Sequence, residues 1–177
     1  FAFGGNNAAL VFTQPDVGRQ VARSARRSVV ISGGSVSCAR GTASGAAPVV
    51  ALEESAAQGR ELVGLDAGAL VDPGALRRMD ALSAGVCATL ALALRDAKRE
   101  PSADLGIAFG TGFGALDATA KFLQRLFEKG ASWVNPIEFP NLVHNAPAGY
   151  ASILFGAAGD NVATTQEEIA GDEAVAL

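Results

Sequence analysis

The chain has 177 residues, 49% of them hydrophobic and 18% charged. That is apolar enough to bury a core, so global disorder is excluded, and the length fits one domain or slightly more. Lys+Arg 14 against Asp+Glu 18 leaves a net charge of −4, which argues against a general nucleic-acid binder, because that function needs a basic face.

The first residue is Phe1, which reads as a chain without its own translational start. In Phe1-Ala2-Phe3-Gly4-Gly5, the glycines allow a tight turn and a close backbone approach. Ala8 to Phe12 read as a short buried strand. Thr13-Gln14-Pro15-Asp16 breaks it. Arg19, Arg23, Arg26 and Arg27 follow with little opposing charge, as in a solvated connector or a basic contact for an acidic partner. Ser28 to Ile31 are expected to form a strand that ends at Ser32-Gly33-Gly34. Cys38 lies just beyond it. Residues 39–48 read as a loop, with Gly41, Ser44, Gly45 and Pro48 as its markers. Val49 to Leu52 suggest a short extended segment.

Asp72-Pro73 opens a helix: the carboxylate accepts from early amides, and proline lacks only a hydrogen that would go unpaired. Leu76, Met79, Leu82, Val86 and Leu90 keep helical spacing, with Pro101 as the far limit. Cys87 falls in this apolar helix as inert core. The longest uncharged apolar stretch, Ala81 to Leu94, is short of the about 20 residues that span a membrane. Leu105 to Phe109 read as a buried strand, and Gly110-Thr111-Gly112-Phe113-Gly114 as a turn. A second amphipathic helix follows. Its expected inward residues are Leu116, Leu123, Leu126 and Phe127, its outward ones Lys121, Arg125 and Lys129, and its stop Gly130. Asn145 to Tyr150 open a short helix. Asn161 to Thr165 read as a strand, and Glu167 to Leu177 as the start of a helix. Strands alternating with helices favour α/β layers with parallel strands.

The Gly110–Gly114 turn imitates a dinucleotide fingerprint but spaces its glycines GxGxG, one residue short at the third. The acidic residue expected after the next strand is also missing, since Glu128 lies within the following helix. Tight packing of the turn against a neighbouring loop or subunit fits better. No Ser or Cys forms a recognisable dyad with His144, the one histidine, which reads as buried or at an interface. Cys38 and Cys87 make neither a disulfide framework nor a four-ligand zinc site; they read as reduced thiols of a cytoplasmic protein. No metal or cofactor is called for.

Several segments together resemble the β-ketoacyl-acyl-carrier-protein synthase family, the thiolase-like condensing enzymes of fatty-acid and polyketide synthesis. Ser28 to Gly33 resemble the first strand of such a synthase, and Arg77-Arg78-Met79-Asp80 a helix start in its N-terminal half. Ile107 to Gly114 resemble its Gly-rich turn. Phe139-Pro140-Asn141 through Gly149 resemble the segment before its dimer-edge strand. Phe1 to Asn7 instead resemble the last motif of a synthase. The resemblance thus implies a thiolase-like layered α/β fold in three parts. Residues 1–12 would be the C-terminal motif of one synthase, 13–26 a linker, and 27–177 the N-terminal half of a second synthase-like domain.

The resemblance implies roles for particular residues. Phe3, with Gly4 and Gly5, would supply a gating aromatic and an oxyanion-hole amide to the upstream site. The family nucleophile is a cysteine at a sharp strand-to-helix turn, where a helix N-terminus favours the thiolate. Aligning the glycines of Gly159 to Gly171 puts Glu168 at that position, and a slip of one residue puts Glu167 there. Neither is a thiol, which resembles the non-condensing, chain-length-factor type. Such a member pairs with an active synthase as a homodimer or heterodimer, shapes the acyl pocket, and works with acyl carrier protein, which Arg19, Arg23, Arg26 and Arg27 could help to dock. Two alternatives stand beside it. The chain could belong to an active synthase whose catalytic residues lie elsewhere, with Glu168 supporting malonyl decarboxylation as a variant. Or it could be a small α/β module binding phosphate at the glycine turn. An isolated half-domain is expected to expose apolar surface and to need a partner.

Overall fold

A computed structural model describes residues 30–38, 41–45 and 64–176. Phe3, Gly4, Gly5, the four arginines from Arg19 to Arg27 and the segments expected at residues 8–12 and 49–52 lie outside them. Among the described residues the chain forms four short strands, six α-helices and several 3-10 turns. Strand β1 (Ser35–Cys38) pairs antiparallel with β2 (Gly41–Ser44). Strand β3 (Ile107–Gly110) pairs with β4 (Asn161–Thr164), and this pair is parallel. The parallel arrangement expected from the alternation of elements holds there.

Of the strand expected at Ser28–Ile31, residues 28 and 29 lie outside the described residues, and Val30 and Ile31 are not in a strand. Residues 30–34 have no regular structure, and the extended pairing begins at Ser35. The reason lies in what the apolar run can bury. Val30 and Ile31 are 81% and 95% exposed, so no described layer receives them. The hairpin instead closes where the Gly45 amide donates to the Gly34 carbonyl at 2.9 Å.

The helix expected after Asp72 is divided. Helices α1 (Ala67–Leu70) and α2 (Pro73–Leu76) are single turns, capped by the carboxylates of Asp66 and Asp72. The chain then restarts at α3 (Ala81–Asp96), because Asp80 turns its carboxylate onto the Leu82 and Ser83 amides at 3.0 and 3.2 Å. An aspartate that bonds the amides ahead of it starts a helix rather than continuing one. Helical spacing across residues 76–90 therefore concealed a break.

Helix α3 is rich in small residues, and so is its main neighbour, α5 (Ala146–Phe155). Cys87, Ala88 and Ala151 are fully buried in the core, with Val71 at 3% exposure. Leu90, Tyr150, Leu154 and Phe155 pack around them, and Ile107 joins the cluster from β3. Small side chains at the contact let the two helix backbones approach closely, so the core is thin and densely packed.

Helix α4 (Leu116–Lys129) ends at Gly130, as expected, with φ at +85°. Its apolar stripe does not face inward. Leu116, Leu123 and Phe127 are 61%, 41% and 81% exposed. The spacing correctly marked an amphipathic helix, but periodicity cannot say whether the layer that covers the stripe belongs to the described residues. Helix α6 (Ala170–Ala176) follows a 3-10 turn, Glu167–Ile169. Among the described residues no helix is long and apolar enough to cross a membrane.

Candidate functional site at the elbow after β4

The parallel β3–β4 pair brings two turns to one edge. Its register sets Ile107 opposite Asn161 and Gly110 opposite Thr164, so both strands end together. Ligand sites in α/β sheets sit beyond the carboxyl ends of the strands. The glycine turn, residues 110–114, leaves β3 there, and the sharp turn into α6 leaves β4 beside it.

Hydrogen bonds lock the two turns together. The Thr111 amide donates to the Thr164 carbonyl at 3.1 Å. The Thr164 hydroxyl donates to the Ala170 carbonyl at 3.1 Å, and the Ile169 amide to the Gln166 carbonyl at 3.1 Å. The Thr111 hydroxyl accepts from the Gly114 amide at 3.0 Å. Gly110 has no side chain because there is no room: a Cβ there would overlap the Ala170 carbonyl and lie 2.8 Å from the Gly171 nitrogen. A Cβ at Gly112 would lie 3.0 Å from the Glu167 carbonyl oxygen. The glycines therefore serve close packing of this turn against the neighbouring turn, as their spacing suggested, rather than the approach of a dinucleotide.

Glu167 sits at φ +46°, in the left-handed region that side-chain-bearing residues adopt at a cost of order 1–3 kcal/mol. Glu168, the residue expected at the nucleophile position, follows it in the 3-10 turn. Thr165, Gln166, Glu167 and Ile169 line an open recess of about 630 Å³. The turn itself was legible from the glycines at either end of 159–171. The strained backbone at Glu167 was not, because no residue type there announces it.

The other singled-out side chains lie away from this turn in the fold. Cys38 ends β1, and Cys87 is central in α3. Burial, and then the charge of Asp80, push the Cys87 thiol up from 9.0 to about 11. It is thus inert core, as expected. His144 is exposed, which removes the buried setting and leaves the interface one of the two expected for it, and its ring rests against Gly114. Gly114 is at φ +64°, so the position suits glycine twice, by backbone angle and by lack of room.

The Cys87 shift has a measurable sign. The unfolded thiol ionises near 9.0, whereas the folded one keeps its proton to about 11. Unfolding therefore releases a proton between these values, and stability falls as pH rises through the window. Burial also raises the Tyr150 hydroxyl, which acts in the same direction. We expect the melting temperature to drop between about pH 9 and 11, and Cys87 to resist iodoacetamide at about pH 8 until denaturant is added. Rapid alkylation of Cys87 in the native chain would contradict its burial.

Two further concavities flank the core. A cleft of about 580 Å³ lies beside the start of α4, lined in part by Asp80, Asp117, Lys121 and Asn141. In it Arg125 grips Glu138 through both carboxylate oxygens at 2.8 Å. An apolar groove of about 430 Å³ runs between β1 and α3, past Val86, Leu90 and Phe109. Among the described residues no group of three or more His, Cys, Asp or Glu side chains could hold a metal ion.

Comparison with known proteins now defines the class. The chain is 34% identical over 122 residues to 3-oxoacyl-acyl-carrier-protein synthase 2 of Synechocystis sp., covering 66% of this chain and 29% of that protein. It is 37% identical over 68 residues to the protein of the same name from Vibrio cholerae, covering 38% of this chain and 16% of that one. Among solved structures it superposes on the ishigamide ketosynthase/chain length factor with a TM-score of 0.57 at 22% identity, over 65% of this chain and 34% of that one. A β-ketoacyl synthase from Burkholderia phymatum gives 0.56 at 21% identity, over 65% and 29%. No protein-family model matches. The fold is thus the thiolase-like layered α/β fold of these synthases. The resemblance read from the sequence holds at this level: over these stretches the chain is similar to β-ketoacyl (3-oxoacyl-acyl-carrier-protein) synthases. It spans less than a third of the length of the Synechocystis protein.

Proposed function

We propose that the chain is a section of a β-ketoacyl-synthase-like protein of fatty-acid or polyketide synthesis, and that its own site is non-condensing. One observation carries this reading. The turn after β4 carries the strained Glu167 and interlocks with the glycine turn, and it offers no thiol: in the register set by the flanking glycines, Glu168 would stand where the family has its cysteine. A carboxylate is a weak nucleophile toward a thioester and cannot form the acyl-thioester intermediate through which a cysteine divides condensation into two easier steps. The remaining role is to pair with an active synthase and shape its acyl pocket, with acyl carrier protein delivering the chains. Residues 27–177 would form the N-terminal half of this domain, after a linker at 13–26. Residues 1–12, with Phe3, Gly4 and Gly5, would serve an upstream site.

The test is acyl transfer read by intact mass. The purified protein is incubated with acyl-loaded carrier protein, alone and with an active synthase. We expect no acyl adduct on this chain and condensation only when the active synthase is present. An acyl adduct mapped within residues 27–177 would overturn the proposal. The carboxylate at the elbow also favours a second reading, decarboxylation of a malonyl group. That reading requires release of carbon dioxide from malonyl-carrier protein to fall sharply in Glu168→Gln; release that persists would remove it.

A further inference from the structure

The C-terminus of α3 closes in a pattern that normally ends on glycine. The Arg99 amide donates to the Leu94 carbonyl at 3.0 Å, and the Lys98 amide to the Arg95 carbonyl at 3.1 Å. The Ala97 amide donates to the Ala93 carbonyl at 2.9 Å. This paired closure requires a left-handed residue just past the cap, where glycine fits at least cost. Here that residue is Lys98, at φ +52°. The chain therefore keeps a long cationic side chain where backbone geometry favours having none. Capping does not explain it, because backbone amides already satisfy these carbonyls.

What the side chain faces supplies a reason. Lys98, Arg95 and Arg99 rim a pocket of about 380 Å³. Its lining is mixed: Leu70, Leu94 and Phe155 contribute apolar surface beside the charged side chains. Glu100 is the only carboxylate among the lining residues, and Asp104 is close enough for its charge to feel Arg99. None of the three rim cations lies within ion-pair distance of a described carboxylate. A concavity that combines apolar lining with three cations free of ion pairs among the described residues matches a molecule with both characters: an anionic head and a hydrocarbon tail. An inorganic anion would leave the apolar lining wet, and a neutral apolar ligand would leave the cations unused.

We infer that this pocket is a binding site for a single-chain anionic amphiphile. Its carboxylate is held by Lys98 with Arg95 and Arg99, and its alkyl chain lies on Leu70, Leu94 and Phe155. The site is separate in the fold from the elbow after β4, and it stands whether or not the elbow condenses.

Decanoate below its micelle concentration is the probe, titrated calorimetrically into the 177-residue chain at low salt. Acetate, decyltrimethylammonium and a hexaglutamate peptide are the comparisons. We expect saturable decanoate binding with one site per chain, no binding of acetate, and decyltrimethylammonium at least about tenfold weaker, the loss expected for a missing charge-assisted contact. Lys98→Gly separates binding from folding. It relieves the left-handed strain, so its melting temperature should hold or rise while decanoate binding weakens about tenfold. Three results would each overturn the inference: no decanoate binding, equal binding of the cationic amphiphile, or unchanged affinity in Lys98→Gly. Hexaglutamate binding without decanoate binding would also overturn it, and would assign the cations to an acidic peptide.

Discussion

Gly110→Ala is expected to prevent the elbow from forming. The added Cβ would overlap the Ala170 carbonyl and lie 2.8 Å from the Gly171 nitrogen. All of these are backbone atoms, so no flexible side chain can give way. Overpacking in a filled interior costs about 1–3 kcal/mol and more where backbone must move. Here the backbone that must move also carries the bonds from Thr111 to Thr164 and from Thr164 to Ala170. We expect loss of soluble protein, or a melting temperature lowered by roughly 10 °C or more, given about 2–8 °C per kcal/mol for domains of roughly this size. Gly149→Ala is the control, since nothing lies within 4 Å of a Cβ there. A Gly110→Ala protein as stable as this control would show that the two turns are not packed as described.

The second large effect is expected from Ala151→Leu. Ala151 is fully buried with Cys87 and Ala88 where α5 crosses α3. Three added carbons must push the helices apart, because both sides of the contact are small and leave no space to absorb them. The helices also carry Leu90, Tyr150 and Leu154 around this point, so separation would loosen the whole cluster. We expect destabilisation of about 3 kcal/mol, read as a lower denaturant midpoint with broadened near-ultraviolet signals. An unchanged midpoint would mean that the crossing is looser than the burial implies.

The sequence exposed some features of this fold more readily than others. The β3 strand, the glycine turn, Gly130 as a stop and the strand at Asn161 were legible because each is set by local chemistry. The break at Asp80 was hidden from the periodicity, since the same apolar spacing runs through Leu76, Met79 and Leu82 on both sides of it, and only the resemblance of Arg77–Asp80 to a family helix start marked it. Only the bond geometry of the Asp80 carboxylate distinguishes an N-cap from a residue inside a helix. The outward stripe on α4 was misread for a different reason. Amphipathicity reports that Leu116, Leu123 and Phe127 share a face, and what covers that face is a property of the assembly. At the elbow, the turn between β4 and α6 could be read from flanking glycines. The left-handed backbone at Glu167 and the contact between Gly110 and Ala170 could not, because both are set by tertiary approach.

The interlocked turns also bear on how such a protein changes over generations. The described contacts that hold the elbow run through backbone atoms and the hydroxyls of Thr111 and Thr164. Shape and chemistry are thus inherited separately at this spot. A codon change elsewhere in the turn, as at position 168, alters the residue presented there while these contacts are passed on. A lineage with this arrangement can vary the chemistry of the turn without first evolving a new fold.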